Sequence, residues 1–270
     1  MVDPIRAQLQ ATQAAFDSVA ADYDGPLGNN TIIRYFRAQL WREVGRRVPR
    51  GGRLLDVGCG TGLDAAHFAE QSYEVIATDW SPRMVERTSA RLSASGLSDW
   101  CSVHLIGAHE LHKLRGECFD GIYSDLGPLN CVPDLTAVAQ ASASLLKPSG
   151  VLIASVIGRA CPWEWIYYML HGDRVRARLR QQRASVPAAL NGQTVWTWYY
   201  TPHEFYRAFE RDFELTDYRG LGVFLPPPYL WRDRIQRLIT PLGWLDDRLA
   251  AWPGLRNIGD HFLMVLTRRG

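Results

Sequence analysis

Hydrophobic positions in the first 50 residues recur at helical spacing. One apolar series runs through residues 5–19 and a second through residues 32–44. A repeat of three to four residues places such side chains on one face of a helix. The pattern predicts two N-terminal helices, separated by a glycine- and proline-containing turn at residues 22–28.

From residue 53 onwards, short apolar runs alternate with helical patterns. Strands are predicted at residues 54–57, 73–78, 102–106, 119–124, 151–156 and 261–267, and helices at residues 65–70 and 135–146. Ser81 and Pro82 predict a further helix start, because serine is a good N-cap and proline fits the first turn. Strands that alternate with helices are typical of an α/β fold with a parallel, doubly wound sheet.

Aromatic residues are concentrated in the last 110 positions, which hold seven of the ten tryptophans and seven of the eleven tyrosines. We expect residues 158–200 to form an aromatic lid over a largely apolar pocket. The alternative is that these side chains only cover an exposed face of the sheet. The full division is a helical cover at 1–50, a core at 51–157, the lid at 158–200, and the remainder of the sheet at 201–270 with a helical insertion at 225–258.

The strongest chemical signal is the sequence Leu-Asp-Val-Gly-Cys-Gly-Thr-Gly, which ends at Gly62. Glycines after a strand permit a tight turn and let a ligand approach the backbone. Asp79 follows at the end of the second predicted strand, where a carboxylate can accept hydrogen bonds from both ribose hydroxyls. Leu63 stands where a dinucleotide fingerprint has its third glycine, and the upstream Asp56 suits a cofactor with a cationic amino-acid tail.

These residues resemble motif I and the acidic motif of the class I S-adenosylmethionine-dependent methyltransferases, in particular the ubiquinone-biosynthesis-type branch that acts on small molecules. The segments 16–24, 119–124 and 146–152 are similar to the opening helix, the fourth strand and the turn into the fifth strand of that branch. The resemblance implies a Rossmann-like sheet of seven strands, the last antiparallel, and S-adenosyl-L-methionine as cofactor.

The resemblance also implies where the cofactor lies. The glycine backbone would approach the methionine moiety, Asp56 its ammonium, Asp79 the ribose and Trp80 the adenine face. Ala108 replaces the acid that often meets the adenine amine, so the adenine edge would rest on backbone. The complete set of implied cofactor contacts is Tyr23, Asp56, Gly58, Cys59, Gly60, Gly62, Asp79, Trp80, Met84, Ala108, His109 and Ser124.

Three residues are candidates for the catalytic side of the site. The loop after the fourth strand faces the methyl group in this fold, so Asp125 and Asn130 are expected to orient the substrate. His203, beside the aromatic segment, is a candidate general base. The alternatives are a turn or cap role for Asn130 and a surface position for His203.

Composition narrows the function classes. The chain has 270 residues, of which 47% are hydrophobic, and a formal net charge of +2. These values exclude wholesale disorder and give no general attraction to nucleic acid. No apolar run reaches the roughly 18 residues that span a bilayer, and the first residues hold no signal core. We therefore expect a cytoplasmic protein, and the resemblance described above implies an enzyme with a small-molecule methyl acceptor.

Three alternatives to a small-molecule methyltransferase remain: a non-catalytic regulator, a nucleic-acid methyltransferase and a metal-dependent enzyme. A non-catalytic S-adenosylmethionine-binding regulator would keep the same loop, and a nucleic-acid methyltransferase is less well supported. The spacing His109-Glu-Leu-His112 lacks an obvious third ligand, so no metal is expected.

The arginine run 174–183, with Arg176, Arg180 and Arg183 on one predicted helix face, indicates a solvated surface or, alternatively, contact with an anionic substrate or a membrane. The sequence leaves the oligomeric state and the acceptor atom open.

Overall fold

The computed structural model describes residues 4–25, 28–230 and 236–270. The helices are α1 Pro4–Val19, α2 Thr31–Arg47, α3 Leu63–Glu70, α4 Pro82–Ala94, α5 Leu135–Leu145, α6 Pro162–Leu170, α7 Arg174–Ala177, α8 Pro202–Phe209 and α9 Gln236–Leu249. The strands are β1 Arg53–Val57, β2 Glu74–Asp79, β3 Cys101–Leu105, β4 Phe119–Ser124, β5 Leu146–Ile157, β6 Val186–Leu190, β7 Gln193–Thr197, β8 Phe213–Leu221 and β9 His261–Arg268.

Within the described ranges, seven strands form one sheet in the order β3-β2-β1-β4-β5-β9-β8. Strands β1 to β5 pair in parallel, and β9 runs antiparallel to both of its neighbours. The predicted Rossmann-like sheet with an antiparallel last strand is confirmed. The carboxyl ends of β1, β2 and β4 therefore meet at one edge, where ligands bind in such sheets.

Successive side chains of a strand point to opposite faces of the sheet. Both faces are buried here, because helices pack on each of them. Leu54 packs with Phe36 and Leu40 of α2 on one face. Leu55, its neighbour in sequence, packs on the other face with Val138 of α5 and Phe205 of α8. This double burial explains why the strands read as continuous apolar runs, and it fixes the strand ends that carry the site.

Local sequence signals set the helix that follows β2. The Ser81 hydroxyl accepts a hydrogen bond from the Met84 backbone N–H, and Pro82 opens α4. Ser81 Oγ also donates to Asp17 Oδ1 of α1 at 2.5 Å. The predicted helix start is confirmed, and the same serine holds α1 against the core.

Strands β6 and β7 form an antiparallel hairpin outside the main sheet. The hairpin packs against α1, and the Trp196 backbone N–H donates to Thr12 Oγ1 at 3.0 Å. We call α1 and this hairpin together the cover. The four-segment division of the chain remains a prediction; part of its 225–258 insertion, residues 231–235, lies outside the described residues.

The predicted arginine face is wrong. The helical segment α7 ends at Ala177, and Arg180 is buried instead of sharing an exposed face with Arg176 and Arg183. Arg180 Nη2 contacts Glu164 Oε2 at 2.6 Å and Asp260 Oδ1 at 2.7 Å. A buried cation needs such partners, and a sequence pattern does not reveal them.

The surface of α6 is partly apolar. Trp165 is 52% exposed and Leu170 is 81% exposed. Contact of this surface with a membrane therefore stays a prediction. Across the described residues, no helix combines the length and apolarity needed to cross a bilayer.

Candidate active site

The glycine loop connects β1 to α3. The backbone N–H groups of Gly58 and Cys59 both donate to the Thr78 carbonyl, at 2.8 and 2.9 Å, which ties the loop to β2. Gly58, Gly60 and Gly62 have φ values of 80°, 56° and 78°. Residues with side chains rarely adopt such φ values, so the loop requires glycine for its shape.

Two of these glycines also lack room for a side chain. A Cβ on Gly58 would lie 2.3 Å from Cβ of Pro128, and one on Gly62 would lie 2.7 Å from Cγ2 of Thr88. A Cβ on Gly60 would meet its nearest atom, on Tyr23, only at 3.9 Å. Gly60 therefore leaves its backbone open towards the cavity described below.

We expect Gly58→Ala to lower the free energy of unfolding by about 1–3 kcal/mol, because the backbone is strained and the new methyl group collides with Pro128. Chemical denaturation measures this change. The matched control is Gly45→Ala in α2, where the described atoms leave the new methyl group free, so that variant gains about 0.5–1 kcal/mol. Equal stabilities of the two variants would contradict the prediction.

Asp79 links the glycine loop to the segment after β2. Its Oδ2 accepts the Gly60 N–H and its Oδ1 accepts the Ser81 N–H, both at 2.8 Å. Burial raises the pKa of Asp79 to about 6, against the lowering effect of these backbone hydrogen bonds. Each carboxylate oxygen retains a second lone pair, so the pair can also accept hydrogen bonds from two hydroxyl groups.

Trp80 and His109 stand beside Asp79. Their rings meet edge to face, with centroids 4.6 Å apart. The Trp80 carbonyl accepts a hydrogen bond from Gln13 Nε2 at 2.7 Å, while its buried Nε1 has no partner among the described residues. With Ala108 and Met84, these side chains form an apolar wall that suits a planar heterocycle.

These groups line a cavity of about 180 Å³ at the carboxyl ends of β1, β2 and β4. Of the predicted site residues, the lining contains Tyr23, Gly58, Cys59, Gly60, Asp79, Trp80, Met84, Ala108, His109 and Asp125. The predicted residues outside the lining are Asp56, Gly62, Ser124, Asn130 and His203. The structure thus brings ten of fifteen predicted residues to one place.

Asp56 is buried behind the cavity wall. Its Oδ2 has no hydrogen-bond partner in the described part of the chain. Burial and the nearby Asp64 raise the pKa of Asp56 well above its usual range. The expected direct contact with a cofactor ammonium does not fit this position, since Asp64, and not Asp56, reaches the cavity.

Sequence reasoning missed Arg37 and Asp64. Arg37 Nη1 and Asp64 Oδ2 form a buried ion pair at 2.5 Å, and Trp41 Nε1 donates to Asp64 Oδ1 at 2.6 Å. Both partners of the ion pair line the cavity. The one signal for Arg37 is its place on the buried side of α2, between Phe36 and Leu40 in sequence.

Asn130 connects the loop after β4 to Ile157 and Trp198 through hydrogen bonds. It is fully buried; its Nδ2 donates to the carbonyls of Ile157 and Trp198, and its Oδ1 accepts the Ile157 N–H. These contacts hold the loop after β4 against the end of β5. The structural alternative therefore describes Asn130 better than contact with substrate.

Two other predicted residues also lie away from the cavity. Ser124 Oγ donates to the Val57 carbonyl at 2.8 Å and so joins β4 to β1. His203 is exposed at the start of α8. The surface alternative for His203 fits this position, and a base role does not.

Part of the cavity lining is apolar. The apolar side chains include Leu9 and Phe16 of α1, Val132 and Ile157 of the core, and Val195 of the hairpin. Of residues 158–200, Val195 and Thr197 line this cavity, so that segment adds no aromatic side chain to the lining, and the aromatic lid stays a prediction. The side chains of the cover that line the cavity are Leu9, Thr12, Gln13, Phe16, Val195 and Thr197.

The residues present fit S-adenosylmethionine. The open backbone at Gly60 leaves space for an amino-acid tail, Asp79 offers lone pairs to sugar hydroxyls, and Trp80 with His109 forms a wall for adenine. The apolar part of the cavity lining then leaves room for a methyl acceptor.

Comparison with known proteins agrees with this fit. Residues 54–150 match the family described as Methyltransferase domain. The chain is 32% identical to the ubiquinone biosynthesis O-methyltransferase of Xanthomonas axonopodis, over 54% of this chain and 62% of that enzyme. The enzyme of the same name from Cereibacter sphaeroides is 27% identical, over 82% of this chain and 89% of its own length. A tRNA 5-carboxymethoxyuridine methyltransferase of Escherichia coli is 29% identical, over 51% and 54%.

A solved structure shares the fold. The 1,6-didemethyltoxoflavin-N1-methyltransferase of Burkholderia thailandensis, with S-adenosylhomocysteine bound, aligns with a TM-score of 0.61 at 18% identity, over 100% of this chain and 92% of that one. Fold, site and sequence matches together define a Rossmann-like methyltransferase. The matches support a class I S-adenosylmethionine-dependent methyltransferase, with S-adenosylmethionine as cofactor.

Proposed function

We propose that the enzyme transfers the methyl group of S-adenosylmethionine to a small, largely apolar molecule. One observation carries the proposal: a single cavity is lined both by the glycine loop with Asp79 and by apolar side chains of the cover and the core. A buried apolar pocket with few polar groups is typical of sites for small molecules. Similarity to two ubiquinone biosynthesis O-methyltransferases supports the same acceptor class.

The chain's residues contribute mainly alignment and exclusion of water. The bound cofactor supplies an electrophilic methyl group. The rest of the cofactor is the leaving group, and because it is a neutral thioether, no acid is needed to protonate it. Asp79 and the glycine backbone hold one reactant, while Phe16, Val132 and Val195 enclose the other. Holding two reactants in line in a water-poor cavity accounts for much of the catalysis in such displacements.

Transfer to tRNA is the second candidate, because one relative carries that activity in its name. The net charge of +2 gives no general attraction to a polyanion. Arg180, from the arginine run, is buried in ion pairs and unavailable to phosphates. The apolar part of the cavity lining favours a small molecule.

The test has two steps. Calorimetric titration with S-adenosylhomocysteine measures cofactor binding, and radiolabelled methyl transfer is then assayed against hydroxylated aromatic compounds and against bulk tRNA. We expect binding, and transfer to an aromatic compound but not to tRNA. Binding without transfer to any acceptor would support the non-catalytic alternative, and transfer to tRNA alone would overturn the small-molecule acceptor.

A further inference from the structure

Asp125 is the first residue after β4 and one of the charged groups in the cavity wall. Its Oδ1 accepts a hydrogen bond from Ser155 Oγ at 2.6 Å. Its Oδ2 is buried and has no hydrogen-bond partner among the residues that the structure describes. A carboxylate oxygen of this kind is costly to bury unless a ligand uses it.

The surroundings of Asp125 come from five elements. Burial, and Asp64 on α3, raise the pKa of Asp125, while Arg37 on α2, Ser155 on β5 and His261 on β9 lower it; burial dominates, and the pKa rises to about 6. Asp56 on β1 is a further neighbouring acid, whose own pKa Asp125 raises. A base whose pKa lies close to neutrality suits proton transfer.

Arg37 limits how far Asp64 raises the pKa of Asp125. Its guanidinium pairs with Asp64 and so offsets the repulsion that Asp64 exerts on Asp125. Ser155 fixes the orientation of the carboxyl group through Oδ1, which leaves Oδ2 for the acceptor. We regard Arg37 and Ser155 as positioning residues, because they act through Asp125.

We propose that Asp125 is the general base of the methyl transfer and that the acceptor carries an ionisable O–H group. This inference rests on the proposed function. The acceptor oxygen forms a bond to the methyl carbon as the bond between that carbon and sulfur breaks, and its electron pair stays on sulfur. The acceptor proton moves to Asp125 Oδ2 and leaves to solvent after product release.

The experiment compares two probes, phenol and thiophenol, by radiolabelled methyl transfer at saturating S-adenosylmethionine, so that ionisation of Asp79 does not limit binding. Thiols ionise more readily than phenols and need less help from a base. In Asp125→Asn we expect methylation of the phenol to fall by about 100-fold or more, and that of the thiol to change far less. Asp125→Glu should recover part of the phenol activity. In the wild type, turnover of the phenol should fall as pH drops below about 6, where Asp125 becomes protonated.

The matched control is Asp246→Asn. Asp246 is also buried, burial also raises its pKa to about 6, and it lies outside the cavity lining, where it accepts the N–H groups of Gly222 and Phe224. This variant should alter thermal stability but leave the ratio of phenol to thiol turnover unchanged. A change in that ratio equal to the change in Asp125→Asn would overturn the assignment.

A binding measurement gives a readout without turnover. In the complex with S-adenosylhomocysteine, the Asp125 carboxylate should repel nitrophenolate and raise the apparent pKa of bound 4-nitrophenol, and Asp125→Asn should abolish this shift. If the wild type methylates both probes and Asp125→Asn methylates the phenol as fast as the wild type does, the assignment of Asp125 as the base is wrong. The proposed acceptor class would still stand. Enzyme that binds S-adenosylhomocysteine but neither probe would contradict the proposed acceptor class, and the base with it.

Discussion

Arg180→Met is expected to lower the free energy of unfolding by about 3–5 kcal/mol, the usual cost of removing one partner from a buried ion pair. Arg180 lies between two buried carboxylates, Glu164 and Asp260, and its Nη1 also donates to the Gly158 and Asp260 carbonyls at 3.0 Å each. Although burial opposes ionisation, Arg180 and His261 hold the pKa of Asp260 well below its usual range. Equilibrium unfolding in urea measures the change.

The exposed Arg176 provides the control, since Arg176→Met should alter stability by less than about 0.5 kcal/mol. A second variant separates lost charge from lost volume: Arg180→Met combined with Glu164→Gln and Asp260→Asn should regain part of the stability. In the described residues, Cys161, Glu164 and Asp260 are the one group with metal-ligand spacing, and Arg180 already supplies their positive charge. If the triple variant were no more stable than Arg180→Met, the electrostatic explanation would be wrong.

Asp79→Ala is expected to weaken binding of S-adenosylhomocysteine by about 1–3 kcal/mol, because ligand hydroxyls lose a buried acceptor. The variant also frees the Gly60 and Ser81 N–H groups that shape the loop. Isothermal titration calorimetry measures the affinity. Asp99→Ala, at an exposed position, should bind as the wild type does.

The pH dependence follows from the same carboxylate. Burial raises the pKa of Asp79 to about 6 in the free protein, so protonation below that pH removes an acceptor oxygen. Affinity of the wild type should therefore fall as pH decreases from 7 to 5, while Asp79→Ala should show no such fall from this group. A wild-type affinity that rises on acidification would contradict the role of the ionised form.

Much of the core was predictable because its signals are local. The glycine loop, the Ser81-Pro82 helix start and the apolar strands each need only a few neighbouring residues, and the structure confirms all three. Strand β4 has the predicted bounds, 119–124. Asp79 follows from the same local logic, since it ends a strand next to the loop.

The rest depends on contacts between distant parts of the chain. The Arg37–Asp64 pair and the Thr12–Trp196 hydrogen bond join residues 27 and 184 positions apart. Nothing in the local pattern distinguishes Arg180 from the exposed arginines around it. The role of the aromatic segment could not be predicted from sequence, because abundance of tryptophan does not tell which side of a helix or hairpin faces a ligand.

The cover has a consequence for how relatives of this enzyme diverge. Residues 54–150 hold the glycine loop, Asp79 and Asp125, but the aliphatic wall opposite them comes from α1 and the β6–β7 hairpin, outside that range. Substitutions at Leu9 or Val195 can reshape the apolar part of the cavity while the glycine loop and Asp79 stay unchanged. Two descendants with identical residues 54–150 can thus evolve different acceptor preferences, and a sequence search confined to that range would not separate them.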